Sequence, residues 1–134
     1  MSGSLYREIF VNQNTYQIMR HPGKSIAHAM HGIIYTLKNE RNFQIECTVA
    51  GTVVLLMMWL PLSRVEDSLL IFAITLVLGL ELTNTALERV MDILKPRVHP
   101  YARVVKDVMA GAVLTVSLGA LLIGLLIFLP YFSK

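Results

Sequence analysis

The sequence predicts an all-α integral-membrane protein with three transmembrane helices preceded by an amphipathic surface helix. Two observations carry that prediction. Hydrophobic residues make up 54% of the 134 residues and charged residues only 16%, against roughly 25% charged in a soluble domain. The charges also leave long runs empty: Val108 to Phe132 has no Asp, Glu, Lys, Arg or His. About 20 apolar helical residues cross a bilayer core, so this segment spans with length to spare. The mean hydropathy of +0.57 excludes a disordered chain. A lone Cys47 excludes a disulfide framework, and a net charge of +3 without a basic run gives no case for nucleic acid. The length allows one domain of ordinary size.

Residues 1–23 read as a polar N-terminal tail, closed by the break His21-Pro22-Gly23, and residues 24–134 as the membrane domain. The surface helix is expected at 24–42. Ile26, Ala29, Met30, Ile33, Ile34 and Leu37 form its apolar side, with Lys24, His28, His31, Lys38 and Asn39 opposite. Spans are expected at about 46–62, 68–94 and 106–132. The first has Trp59 and Pro61 near its end, as suits an interface and a helix stop. No signal peptide is expected, because the first long apolar stretch starts late.

Lys and Arg fix an expected orientation. Arg7, Arg20, Lys24, Lys38 and Arg41 precede the first span, and Arg89, Lys95, Arg97, Arg103 and Lys106 lie around the second connection. The Ser63–Ser68 turn has only Arg64, outnumbered by Glu66 and Asp67. The positive-inside rule then puts the N-terminus in the cytoplasm and the C-terminus outside.

Nucleotide motifs of soluble enzymes are missing. Gly23-Lys24-Ser25 mimics the end of a P-loop, but Ile18 stands where its first glycine belongs. His28 and His31 are too few for a metal site. The chemistry concentrates instead in the second span. Glu81, Asn84, Thr85, Glu88 and Asp92 share one helical face. Glu81 and Glu88 are two turns and about 10 Å apart along the axis, so one small cation cannot bridge both. An ionisable residue inside a span costs at least ~2.5 kcal/mol, and five polar residues on one face point to a site or a water-filled path. Glu40 and Glu46 flank the entry to the first span, and Glu46 also suits a plain helix boundary. Lys106 and Asp107 stand where the third span is expected to begin, at a helix N-terminus that favours phosphate. For Asp107 alone, an N-cap is the simpler reading. Carboxylates, an amide and a lysine at one membrane surface suggest Mg²⁺ and phosphate chemistry.

The segment from Glu81 to Asp92 (ELTNTALERVMD) resembles the signature of the bacterial diacylglycerol kinase and undecaprenol kinase family. His99 and the run from Lys106 to Val113 are similar to the rest of that signature. Ser25, Ala29, Gly32 and the stretch from Lys38 to Phe43 are similar to its surface helix and turn. The resemblance covers about Ser25 to Pro130. It implies a homotrimer with sites between subunits, transferring the γ-phosphate of ATP to a membrane lipid alcohol in the bacterial inner membrane. It implies Glu81 as catalytic base, Asn84 as a polar contact in the nucleotide site, and Glu88 and Glu40 as Mg²⁺ ligands. Lys106 is then the triphosphate contact, and Asp92 and Asp107 acidic positions near the nucleotide. His28 stands where relatives usually carry an aromatic residue beside the nucleotide. Arg64 to Glu66, Asn84 to Glu88 and Ile123 to Pro130 lean toward undecaprenol over diacylglycerol. The competing class is a non-enzymatic membrane protein, such as a transporter subunit using the polar face for ions.

Three helices alone are expected to leave that face uncovered within one chain. Gly111, Thr115 and Gly119, spaced every four residues, offer a small-residue groove for a second copy.

Overall fold

The computed structural model describes residues 22–94 and 101–133. The expected tail, apart from Pro22 and Gly23, and the motif position His99 lie outside the described residues. Four helices follow one another: α1 (Pro22–Asn39), α2 (Arg41–Trp59), α3 (Arg64–Leu94) and α4 (Tyr101–Phe132). No strand occurs among the described residues. The chain divides into two units, residues 1–35 and 36–134, with the boundary falling inside α1. In the first unit the described part is helical, with Ile26 and Met30 exposed.

The helix expected over 24–42 stops at Asn39. Glu40 takes an extended backbone (φ −114°, ψ 113°) and becomes the N-cap of α2. The elbow is closed by its own bonds. Glu40 N–H donates to Thr36 O at 2.8 Å, and Gln44 Nε2 donates to Leu37 O at 2.9 Å. The second of these satisfies a carbonyl that the end of α1 leaves open. Phe43, 2% exposed, anchors the first turn of α2. At the other end Leu60 is extended (φ −96°, ψ 144°), the conformation forced on a residue before proline.

α3 opens with a capping box. Glu66 N–H donates to Ser63 Oγ at 3.3 Å, and Ser63 N–H donates to Glu66 Oε2 at 2.7 Å. The Tyr131 hydroxyl donates to the same carboxylate, 3.1 Å from Oε2, and ties the end of α4 to the start of α3.

α3 packs against both other long helices, more extensively against α4 than against α2. The apolar core is thin: Leu70 and Ala73 of α3 are buried with Phe43 and Ile127. Large side chains such as Met58 and Leu126 face outward, as in helices whose solvent is lipid. α2, α3 and α4 are each long and apolar enough to cross a membrane. They also enclose an apolar groove of about 570 Å³, lined by Val49, Val53, Ala73, Val77 and Phe128, with Glu46 as its one ionisable residue.

Each of these helices starts before the apolar run that announced it: at Arg41 rather than 46, Arg64 rather than 68, and Tyr101 rather than 106. Helix propagation needs only one more bond per residue, so polar first turns extend a span into the interface.

Candidate active site

The polar face of α3 is built as its spacing demands, with an inner buried part and an outer open part. Glu81 is 3% exposed and Thr85 6%. The expectation that one chain leaves this face uncovered is therefore wrong for its inner half. Within the one chain, α2 and α4 already pack on α3. Asn84 donates its side-chain N–H toward the Glu81 carboxylate. Its Oδ1 is buried and has no protein donor. Glu46 Oε2, from α2, is likewise buried without a donor, and Glu46 and Glu81 lie within electrostatic reach.

About two to three turns beyond Glu81 along α3 the face opens. Lys106 Nζ of α4 sits 3.9 Å from Glu88 Oε1 and 3.6 Å from Asp92 Oδ1. These side chains are 41% exposed and Lys106 32%. On the other flank Arg89 is ion-paired to Glu40 at the α1–α2 elbow. Glu88 and Glu40, like Glu46, lie within electrostatic reach of Glu81. One chain thus brings Glu40, Glu46, Glu81, Asn84, Glu88, Asp92 and Lys106 together.

Asp107 is exposed on α4, and the helix begins six residues earlier. It is therefore no N-cap, and Lys106 does not stand among the free N–H groups of a helix start. The attraction of Lys106 for phosphate therefore comes from its charge and not from a helix N-terminus. His28 is exposed on α1, in the N-terminal unit.

Among the described residues no three His, Cys, Asp or Glu form a metal cage. Glu40 and Glu88 nevertheless offer hard carboxylate oxygens, and both are partly open. That donor set suits Mg²⁺, which takes one or two carboxylates and completes its shell with phosphates and water.

Two residues of the cluster went unassigned in the sequence. Glu46 reads there as a helix boundary and Arg89 only as one charge of the positive-inside count. Nothing in a sequence pairs Arg89 with a carboxylate 49 positions away. Adjacency to Glu88 is the one local signal.

Membrane-length helices with carboxylates and a lysine gathered near one end define a class: integral-membrane enzymes acting on a charged co-substrate. The family model for prokaryotic diacylglycerol kinase matches residues 27–128. The chain is 40% identical over 107 residues to an undecaprenol kinase of Bacillus subtilis, covering 80% of this chain and 87% of that one. It is 32% identical over 121 residues to a diacylglycerol kinase of Synechocystis, covering 90% and 69%. It is also 32% identical over 89 residues to a diacylglycerol kinase of Haemophilus influenzae, covering 66% and 75%. The chain belongs to the prokaryotic diacylglycerol kinase family. It is a lipid kinase, a phosphotransferase with ATP as co-substrate, and the non-enzymatic alternative falls away.

Proposed function

We propose that this protein transfers the γ-phosphate of ATP to the hydroxyl of a membrane lipid alcohol at the cytoplasmic face, with undecaprenol preferred to diacylglycerol. The observation that carries the reading is the division of one helix face. Buried Glu81 stands about 10 Å along the α3 axis from Glu88, which is partly open and meets Lys106. That separation suits a lipid hydroxyl held at the interface and a nucleotide held outside it.

Glu81 accepts the hydroxyl proton as the oxygen attacks the γ-phosphorus. Phosphoryl transfer has a loose transition state, so holding the hydroxyl in line counts for more than base strength. Asn84 steadies the Glu81 carboxylate through its N–H and keeps Oδ1 for a donor on the bound substrate. Lys106 contacts the triphosphate, Asp92 and Asp107 lie near the nucleotide, and His28 takes the place of the aromatic residue common in relatives. Glu40 and Glu88 would hold Mg²⁺, which when bound offsets the charge on the phosphate oxygens.

The distribution of Lys and Arg supports a cytoplasmic N-terminus and an outside C-terminus in the bacterial inner membrane. α1 lies along the membrane surface on its exposed apolar residues, Ile26, Met30 and Ile34 among them. The working unit is a homotrimer whose neighbouring copies cover the open outer half of the site. Gly111 and Gly119 support this, since a Cβ at either would meet nothing within 4 Å. The Thr115 hydroxyl, bonded to Gly111 O at 2.8 Å, leaves the stripe between them small and satisfied. Light scattering on the detergent-solubilised protein should return a trimer mass, and a monomer mass would reject it.

The lipid preference rests on the Bacillus relative and on the leaning segments. Undecaprenol and diacylglycerol supplied in turn at equal mole fraction in nanodiscs test it. kcat/KM should be about tenfold higher for undecaprenol, the scale of discrimination by apolar contacts. Equal values, or a preference for diacylglycerol, would reject it.

A further inference from the structure

Arg89 has no part in the chemistry above, yet its position gives it one. Glu88 and Arg89 are consecutive on α3, so their side chains leave the helix about 100° apart. Glu88 reaches toward Lys106 on α4, and Arg89 toward Glu40 at the elbow before α2. Both carboxylates proposed for the metal are therefore met by a cation of the same chain. A metal ion held through the Glu40 Oε1 would compete with the guanidinium paired to that oxygen.

The displaced group does not go far. The Arg89 side chain is 48% exposed while Glu40 is 25%, so the guanidinium can swing away without being buried unpaired. It stays on the turn of α3 that carries Glu88, where the polyphosphate has to lie if Glu88 reaches it through a metal. A guanidinium is a planar fork of donors that matches two phosphate oxygens at once, which an ammonium such as Lys106 does not.

We propose that Arg89 is a second cationic contact for the nucleotide polyphosphate, paired with Glu40 as the structure shows it and free to pass to the phosphates where a metal would compete for Glu40. The exchange balances charge at each stage. Glu40 passes from one cation to another, and the guanidinium from one anion to another. A plain fastening of α2 to α3 would need no exposure of the arginine and would be indifferent to metal. This inference rests on the lipid-kinase reading of the site.

The test uses the full-length protein in nanodiscs, as wild type, Arg89→Gln and Arg89→Lys. Mn²⁺ binding without nucleotide is followed by electron paramagnetic resonance. Binding of a non-hydrolysable ATP analogue with Mg²⁺ is followed by calorimetry. For Arg89→Gln, Mn²⁺ should bind several-fold tighter, because its competitor for Glu40 is gone. The analogue should bind about tenfold weaker, the size of one lost charged contact. Arg89→Lys should fall between, since it keeps the charge but loses the fork. These opposite shifts are the signature.

Mn²⁺ and analogue affinities that fall together, or both stay at wild-type values, would overturn the proposal and leave Arg89 a structural tie. If Arg89→Gln fails to fold, Arg89→Lys decides by the same pair of shifts. Failure of the parent reading looks different: the wild type would then phosphorylate no lipid, whatever Arg89 does.

Discussion

Glu81→Gln should abolish most lipid phosphorylation while leaving the fold and assembly intact. The side chain is 3% exposed, and glutamine fills the same volume, so packing around Thr85 and Asn84 is kept. What disappears is the carboxylate proposed to take the lipid proton. General-base contributions are typically about 10²- to 10⁴-fold, and kcat should fall within that range. Nucleotide affinity should change far less, because the proposed triphosphate contact, Lys106 of α4, meets α3 at Glu88 and Asp92, about two to three turns beyond Glu81. Initial rates, an ATP-analogue titration and a melting curve on one preparation check all three points. Turnover near that of the wild type would show that Glu81 is a buried packing residue.

Glu88→Gln and Glu40→Gln should instead raise the Mg²⁺ concentration needed for half-maximal activity. Each removes one hard anionic oxygen set from the pair proposed to hold the metal, and Mg²⁺ commonly takes only one or two carboxylates. The shift should be on the order of tenfold or more, the weight of one charged contact. Both residues are partly open, so neither substitution leaves a deeply buried unpaired group, and stability should hold. Glu81→Gln provides the contrast, with its lost rate but unmoved metal midpoint. Identical midpoints in wild type, Glu88→Gln and Glu40→Gln would remove both residues from the metal.

Much of this site is legible in the bare sequence, for a physical reason. Helical spacing puts Glu81, Asn84, Thr85, Glu88 and Asp92 on one side of α3 whatever surrounds it, and charge-free runs announce the long helices. The contacts across helices are not legible. Lys106 meets Glu88 and Asp92, and Arg89 meets Glu40, only because α3 packs on α4 and α2 in a particular register. Helix starts are not legible in the apolar runs, because those runs mark where lipid begins, whereas helices begin at caps. Ser63 and Glu66 form such a cap, three residues apart in the sequence, ahead of the apolar run at Ser68. For the same reason Asp107 reads as an N-cap, although α4 begins at Tyr101. Burial of Glu81 within one chain was also out of reach, since it depends on how closely α2 and α4 approach α3.

The most direct test of the phosphotransfer site is the fate of the γ-phosphate. Wild-type protein in nanodiscs is incubated with γ-³²P-ATP and Mg²⁺, with and without undecaprenol, and the label is partitioned between solvent phases. Label should appear in the organic phase as a lipid phosphate monoester, only when both the lipid and Mg²⁺ are present. Label released solely as inorganic phosphate, at a rate indifferent to the lipid alcohol, would contradict a site that joins Glu81 to a lipid hydroxyl.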